Sequence, residues 1–463
     1  MKTRSGNKQH FRNLQILTAK VLLVLAAVAL LVGSCSKNPS GPGETESGDV
    51  DQQVNVDLAI VNWLKGKCLP FDTPRAESGF ADLAYLKDLV AGARVVALGE
   101  ATHGTKEFFQ MKHRILEYLV KEMGFNTFAI EATWPEANLL NDYVMTGQGD
   151  PAKLLAGLYF WTCNTQEVLD MIRWMRRHNE NPGSAPKVGF FGLDMQYPKM
   201  AMNNVISYLT KVDPPAASWA SSLYAGYRVY QDNISAYTKA SEYEKTTCRR
   251  YISEIYDSLA AHQSEYVTKS SAKDFAWGLQ SARVVVQSEL EWCQTDVGFY
   301  YRDYFMAENA KWLLDQSGPT GKIVLWAHNG HVSTRDRWMG AYLRYWYGDQ
   351  MVVFGFDFYA GSFNAVPIKA GTYAPFTAET PPTDSYEYVF RWSNLPRFVL
   401  DLRDPSSPPA VGSWILGPRK LRNVGSIYDA SSPSLYFYTT PLTKEYDVVV
   451  CFQDTSPSTL LPF

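Results

Sequence analysis

The chain has 463 residues, of which 46% are hydrophobic and 14% aromatic, and its formal net charge is −3 at pH 7. This length and apolar content favour a large buried core with an inserted segment over one domain of average size. Because basic residues are not in excess, nucleic acid is excluded as an expected partner.

The first 34 residues have the pattern of an export signal. Residues 1–20 carry five basic residues and no acidic one, and the apolar run 21–33 is too short to span a bilayer but suits a signal-peptide core. Val32-Gly33-Ser34-Cys35 matches a bacterial lipobox, which predicts lipidation at Cys35 and a lipid-anchored protein of the cell envelope. An ordinary signal peptide or an uncleaved anchor is the alternative. Removal of the five basic residues leaves a mature chain of charge −8.

Residues 35–55 predict a flexible tether, because they are rich in Ser, Gly, Pro and acidic residues. The predicted catalytic domain therefore covers residues 56–463. The five cysteines after Cys35 cannot all pair with one another, and their spacings match no zinc or redox motif. One or two disulfides, or buried unpaired thiols, are both compatible with this pattern.

Five apolar, β-prone runs each end in a charged or imidazole side chain. Continuous apolar runs are typical of strands buried on both faces, as in a parallel sheet covered by helices. The predicted fold is therefore α/β, with a mostly parallel central sheet flanked by helices, and residues 446–452 are its predicted final strand. Ligands bind at the carboxyl ends of such strands. The side chains expected to converge there are Glu100, Glu131, Asp194, His328 and Asp357.

Helical periodicity separates these runs. Residues 106–123 carry apolar residues at helical spacing, with Thr105 as the predicted N-cap and Gly124 as the end of the helix. Residues 200–316 contain no convincing strand and many tyrosines, which predicts a long all-helical insertion. Tyrosines at helical spacing are more typical of helix packing, and a lid over the cleft is the alternative.

Histidines and an arginine follow these strands. Glu100 and His103 lie three residues apart after the first strand, and His328 and His331 repeat the pattern after another. A carboxylate beside an imidazole fixes its tautomer and increases its basicity, as a general base requires. Each histidine alone would more often be structural, but three at two strand ends indicate a function. Arg302 is a candidate for holding a substrate oxygen or an oxyanion.

For Arg302 the alternative is a plain ion pair with Asp303 or Glu308. Several other mechanisms lack their motifs, since the chain has no G-x-S-x-G, H-E-x-x-H or phosphate-binding glycine motif in the required context. A cleft of histidines and carboxylates without a protein nucleophile favours direct activation of water.

Together these segments resemble the erythromycin esterase family, in the order in which that family carries them, over residues 83–452. The matching motifs are Gly99-Glu100-Ala101-Thr102-His103-Gly104, Glu107-Phe108-Phe109, Gly124-Phe125, Ile130-Glu131-Ala132, Phe191-Gly192-Leu193-Asp194-Met195-Gln196, Arg302-Asp303 with Met306-Ala307-Glu308-Asn309, and Trp326-Ala327-His328-Asn329-Gly330-His331.

The resemblance implies a hydrolase that cleaves a small-molecule ester or lactone without a cofactor or metal, with macrolide opening as the activity of the antibiotic-resistance members. It places His103 as the base that activates water. The positions that line the same cleft in the family are Glu100, Glu131, Arg302, His328 and His331. Substrate contacts are expected from Lys112, Asp194 and Asp357.

Two features depart from the resistance enzymes. Lys112 stands where a resistance member carries arginine, which would remove a bidentate contact, and those esterases act in the cytoplasm. Both departures concern the substrate and leave the proposed base untouched.

Two other functions are compatible with the sequence. Histidines and carboxylates are suitable ligands for Zn²⁺ or Mn²⁺ in a metal-dependent hydrolase, and a surface lipoprotein of this fold could bind haem or another large apolar ligand.

Overall fold

The computed structural model describes residues 56–293, 298–369, 371–403 and 408–463. The predicted signal peptide, the predicted lipidation site Cys35 and the predicted tether lie outside these ranges. No helix within the described ranges is long and apolar enough to cross a membrane.

A large, mostly parallel sheet forms the centre of the protein, as predicted. Its main path has the order β1-β8-β12-β6-β2-β5-β3-β4. The six strands from β12 to β4 are parallel, whereas β8 and β1 are antiparallel additions at one edge. The strands are β1 Leu69–Pro70, β2 Val95–Leu98, β3 Thr127–Thr133, β4 Gly189–Asp194, β5 Ile323–Trp326, β6 Met351–Pro367, β7 Ala374–Thr377, β8 Arg397–Asp401, β9 Arg419–Arg422, β10 Ile427–Tyr428, β11 Phe437–Thr440 and β12 Val448–Thr455.

The helices cover both faces of this sheet. They are α1 Leu58–Lys67, α2 Leu86–Leu89, α3 Lys106–Met123, α4 Trp134–Thr146, α5 Pro151–Ala156, α6 Gln166–Glu180, α7 Lys199–Val212, α8 Pro214–Arg228, α9 Glu242–Ala261, α10 Gln263–Lys269, α11 Ala272–Trp292, α12 Gly298–Gln316, α13 Asn329–Val332, α14 Met339–Tyr347, α15 Tyr386–Phe390 and α16 Pro409–Leu416. The helix predicted at 106–123 has those bounds, and Gly124 ends it in the left-handed conformation with φ +73°.

Alternation along the central strand β2 divides the core into two layers. Val95 and Ala97 face the layer that contains α7, α8, α11 and α12, whereas Val96 and Leu98 face the layer that contains α3 and α6. All four side chains are buried. Each large apolar side chain removed from water contributes about 1.5–3 kcal/mol, so the two layers hold the strand ends that carry polar groups in fixed positions.

Helices α7 to α12 occupy Lys199–Gln316, apart from the undescribed residues 294–297. Tyr224, Tyr227 and Tyr237 of this region are fully buried, and Tyr227 and Tyr237 pack edge to face with ring centroids 4.9 Å apart. These tyrosines therefore pack helix against helix instead of lining a cleft. The five cysteines of the described residues are buried, unpaired thiols.

Register sets the level at which polar side chains leave the sheet. Leu98 of β2 is paired with Trp326 of β5 and with Phe354 of β6, and Trp326 is paired in turn with Ile130 of β3. The residues that follow these positions therefore emerge side by side at the carboxyl edge of the sheet.

Candidate active site

His103 lies in the turn between β2 and α3, directly above Glu100. Its Nδ1 is 2.6 Å from Glu100 Oε1. Because an ionised carboxylate only accepts hydrogen bonds, Nδ1 carries the proton and donates it to Glu100, which leaves Nε2 as the acceptor of the neutral ring. The His103 side chain keeps 14% of its surface exposed, against 3% for Glu100. Glu100 and His103 thus form the carboxylate–imidazole pair predicted from their spacing.

Two further donors hold Glu100 from below. Lys112 Nζ lies 2.5 Å from Glu100 Oε2, and the indole Nε1–H of Trp326 donates to the same oxygen at 2.9 Å. Burial opposes ionisation of Glu100, but Lys112 and His103 outweigh it and hold the pKa of this carboxyl below its usual value. The Glu100 carboxylate is therefore charged and immobile beneath His103.

Lys112 does not reach the cleft. Its side chain is completely buried, and Nζ lies 4.3 Å from the centroid of the Trp326 ring. Burial lowers the pKa of Lys112 to about 8, although Glu100 partly offsets this effect. Its predicted role as a substrate contact does not fit this position; the lysine supports Glu100 instead.

The turn itself is held by local bonds. Thr105 occupies the N-cap position of α3 as predicted, but its side chain makes no cap bond. Its hydroxyl is instead 2.6 Å from the hydroxyl of Thr102, which also accepts the backbone N–H of Gly104. This hydroxyl pair closes the turn around His103.

His328 lies beside His103 but both of its ring nitrogens have backbone partners. Nε2 lies 3.3 Å from the carbonyl oxygen of Val424, and Nδ1 accepts the N–H of Gly330 at 3.2 Å. Burial lowers the pKa of His328 to about 3, so the ring is neutral. The ring centroids of His103 and His328 are 4.8 Å apart, and His328 therefore forms a wall of the site rather than a free donor.

Glu131 connects the neighbouring strand ends. Its Oε2 accepts the backbone N–H of His328 at 2.9 Å, and its Oε1 accepts from Arg302 Nη2 at 2.8 Å. Burial opposes its ionisation, but His331 and Arg302 hold the pKa of Glu131 well below the usual value. Glu131 is thus a charged group shared by three elements.

Arg302 pairs with carboxylates from two strands. Its Nε and Nη2 both donate to Asp194, with Nη2 2.6 Å from Oδ2, and Nη2 also donates to Glu131. The alternative ion pairs with Asp303 and Glu308 are not formed: Asp303 contacts His331, and Glu308 accepts from Arg283. Asp194 is fully buried and bound by Arg302, so its predicted role as a substrate contact also does not fit.

His331 is the second cation of the cluster. Its Nδ1 lies 2.8 Å from Asp303 Oδ1, and its Nε2 lies 3.2 Å from Glu131 Oε1. Burial disfavours the charged ring, but Asp303 and Glu131 outweigh it and raise the pKa of His331 to about 10. Arg302 Nη1, which can only donate, lies 3.0 Å from the same Nε2, so Nε2 accepts from Arg302 when the ring is neutral and faces Glu131 Oε1 when the ring is protonated.

Sequence reasoning did not find two contributors to this cluster. Asp303 orients His331 and also accepts the N–H of Met339. Glu291, at the end of α11, accepts from Gln196 at 3.0 Å, and burial together with Asp194 raises its pKa to about 8. Asp303 could have been found from its position next to Arg302. Glu291 lies on a helix 97 positions from Asp194 in the chain, and the sequence gave no signal for their proximity.

Asp357 belongs to a different group. It is buried on β6, where its Oδ1 accepts the N–H of Phe358. Burial and the neighbouring Glu387 raise its pKa well above the usual value, with Arg422 opposing the shift. Asp357 therefore does not join the other strand-end residues in one cleft, contrary to the prediction.

Among the described histidines of the site, Nε2 of His103 is the acceptor nitrogen that remains available, and it lies beside a cationic pair formed by Arg302 and His331. Every carboxylate in it already has a partner, since Glu100, Glu131 and Asp194 each accept from a cation. The described residues contain no group of three or more His, Cys, Asp or Glu side chains arranged to hold a metal ion. The arrangement suits proton abstraction next to a developing negative charge.

Comparison with known proteins identifies relatives of this chain. The sequence profile of the family described as erythromycin esterase matches residues 120–455, a range that starts after the His103 turn and contains Glu131, Arg302 and His331. The Bacillus subtilis protein YbfO, named as a hydrolase, is 24% identical over 431 residues, or 86% of this chain and 92% of YbfO.

Erythromycin esterase type II of Escherichia coli is 23% identical over 304 residues, covering 59% of this chain and 69% of its own length. The crystal structure of a Bacillus cereus protein superposes with a TM-score of 0.77 at 30% identity, over 87% of this chain and 98% of that one.

Proposed function

Because the chain belongs to the erythromycin esterase family, a family of hydrolases, we propose that it cleaves an ester or lactone with water activated by His103. One observation carries this proposal: Glu100 binds Nδ1 of His103 at 2.6 Å, which leaves Nε2 free to accept a proton from water. The buried Lys112 and Trp326 keep that carboxylate charged and fixed.

In the proposed reaction the O–H bond of water breaks as its proton moves to His103 Nε2. The resulting hydroxide attacks the ester carbonyl carbon, and the carbonyl π electrons move to oxygen to give a tetrahedral oxyanion. Glu100 stabilises the imidazolium that forms. Collapse of the intermediate expels the alkoxide, which takes the proton back from His103, so that the products are a carboxylic acid and an alcohol.

The cationic pair supplies the electrostatic part of this mechanism. Arg302 and His331 are both held by Glu131, whose other oxygen binds the backbone of His328. Positive groups that are already oriented stabilise an oxyanion without reorganisation, and loss of one such donor commonly costs about 2.7–4 kcal/mol of barrier. His328 is neutral, so the positive charge available to the oxyanion comes from Arg302 and His331.

Macrolide lactones are one candidate substrate, supported by the similarity to erythromycin esterase type II of Escherichia coli. We also propose that the mature protein is anchored in the cell envelope through Cys35, as the lipobox predicts. Other lactones and esters are tested by incubating the purified domain with each compound. Mass spectrometry should show a mass increase of one water for a lactone, or the separate acid and alcohol for an acyclic ester.

The decisive variant is His103→Asn, which keeps a polar side chain but removes the base. We expect kcat/KM for a model ester to fall roughly 10²–10⁴-fold, while His262→Asn, a matched change at an exposed histidine, leaves it unchanged. Activity should survive chelation of metal ions. Near-normal turnover by a folded His103→Asn enzyme would refute the proposed base, and a Soret band on haem addition without any ester turnover would favour ligand binding.

A further inference from the structure

The last residues of the chain lie against the His103 turn. The backbone N–H of Ser458 donates to the carbonyl oxygen of Gly104 at 2.8 Å, and the N–H of Asn364 donates to the same oxygen at 3.0 Å. Two residues earlier, the carbonyl of Ser456 accepts the N–H of Lys106, the first residue of α3, at 2.9 Å. The backbone on the C-terminal side of His103 is thus bound at Gly104 and Lys106 by a segment about 350 positions away in the chain.

Asn364 joins these contacts. Its side-chain Nδ2–H donates to the carbonyl oxygen of Ser458 at 2.7 Å and lies 3.2 Å from the Ser458 hydroxyl. Both residues are buried, with 4% and 5% of their surface exposed. Gly104 makes the close approach possible, since a Cβ there would lie 2.0 Å from the carbonyl oxygen of Asn364.

The same segment then binds a second loop of the cleft. Asn164 and Leu461 exchange two hydrogen bonds, one from the Leu461 N–H at 2.9 Å and one from the Asn164 amide at 3.0 Å. The carbonyl of Thr459 accepts the N–H of Gln166 at 2.8 Å. The neighbouring Cys163 contacts the backbone carbonyl of Glu131, with Sγ 3.9 Å from the oxygen. Residues 456–461, called the strap below, therefore join the His103 turn to the loop beside Glu131.

We propose that the strap sets the position of His103 relative to Glu131, and that Asn364 is a positioning residue for the base. The inference rests on the proposed function of His103. Its physical basis is that the ring has one side-chain hydrogen bond, to Glu100, so the direction of Nε2 depends on the backbone of a short turn. A displacement of about 1 Å at a reacting group can cost on the order of 10²-fold in rate.

Truncation tests the strap directly. Removal of residues 457–463 should lower kcat about 10²-fold with KM changed far less, because the base is misplaced while the substrate cleft remains. Removal of only Pro462 and Phe463 is the matched control and should leave kcat within about twofold, since it removes the 3.4 Å contact of Asn164 to Pro462 but keeps both hydrogen bonds between Leu461 and Asn164. A synthetic peptide of sequence PSTLLPF should restore kcat to the longer truncation in a saturable manner.

Asn364→Ala covers the case in which the long truncation does not fold. It removes both side-chain bonds to Ser458 and should lower kcat and shift the pH at which kcat/KM rises, with circular dichroism unchanged. A folded Asn364→Ala enzyme with wild-type kcat and pH profile would overturn the inference, as would a folded truncation with full kcat. If His103→Asn keeps its activity, the proposed base is refuted instead, so the two failures are distinguishable.

Discussion

Lys112 is the buried group on which the charge of Glu100 depends. Its amine has a pKa of about 8, so it is charged below that pH and becomes neutral above it. The charged form donates to Glu100 and offsets its negative charge. A neutral amine would leave the Glu100 carboxylate beneath His103 without this positive charge. The groups that face it are Glu100, Glu131 and Cys163, and none of them supplies a replacement cation.

We therefore predict that wild-type kcat/KM declines as the pH rises through about 8. Lys112→Arg should remove the decline, because a guanidinium keeps its charge throughout this range. The measurement is kcat/KM of a model ester between pH 6 and 10 for both proteins. Glu291 also titrates near pH 8, so Glu291→Gln is the control. The assignment to Lys112 is wrong if Lys112→Arg keeps the decline and Glu291→Gln abolishes it.

Residues close in sequence were the ones that sequence reasoning could place. Glu100 and His103 share one turn, and their contact follows from a spacing of three after a strand. The partners of Arg302 could not be chosen in advance, because Asp194, Asp303 and Glu308 are equally plausible acids until the sheet order fixes which strand ends are adjacent. Lys112 was misjudged for a related reason: its helix was predicted correctly, but the buried face of that helix includes it.

The bounds and partners of strand β6 also could not be predicted from the sequence alone. The apolar run that ends at Asp357 predicted it, yet it extends over 17 residues and pairs with β2, β12, β7 and β10. Its second half contains Asn364, which contacts the His103 turn. The short strands β7, β9 and β11 carry little apolar patterning of their own, and their pairing defines them: β7 with the end of β6, and β9 with β11.

A buried pair of acids joins β6 to α15. Asp357 and Glu387 are both buried, and Glu387 accepts the backbone N–H of Arg422. Burial, together with Glu387, raises the pKa of Asp357, so the folded state holds a proton that the unfolded state releases at lower pH. The stability from this proton is fully present below the unfolded pKa of about 4 and is lost as the pH rises through the folded value.

Asp357→Asn should therefore reduce the loss of stability at alkaline pH, because its amide donates to Glu387 without needing a bound proton. Each unit by which the pKa is raised corresponds to about 1.4 kcal/mol. The test is the free energy of unfolding in urea at pH 6 and pH 9, with the exposed Asp349→Asn as the control. Equal losses in wild type and Asp357→Asn would contradict the assignment.

We predict that attachment to a membrane depends on Cys35, which lies outside the described residues. The lipobox predicts that the wild-type protein partitions with membranes and that Cys35→Ser is released in soluble form, while its kcat/KM is unchanged because the catalytic domain is intact. Cell fractionation and intact mass of the mature chain measure both points. Substitution of a cysteine in the catalytic domain, Cys248→Ser, is the control. A wild-type mass that matches an unmodified polypeptide with a different N-terminus would contradict the prediction.

The strand order determines when the sheet can be completed during synthesis of the chain. β12 is the last strand of the chain, yet it lies inside the sheet, between β6 and β8. A nascent chain that still lacks these residues leaves an unpaired edge on β6 and an unsupported His103 turn. The central sheet and the support of the His103 turn can therefore be completed only after residues 448–458 have been synthesised.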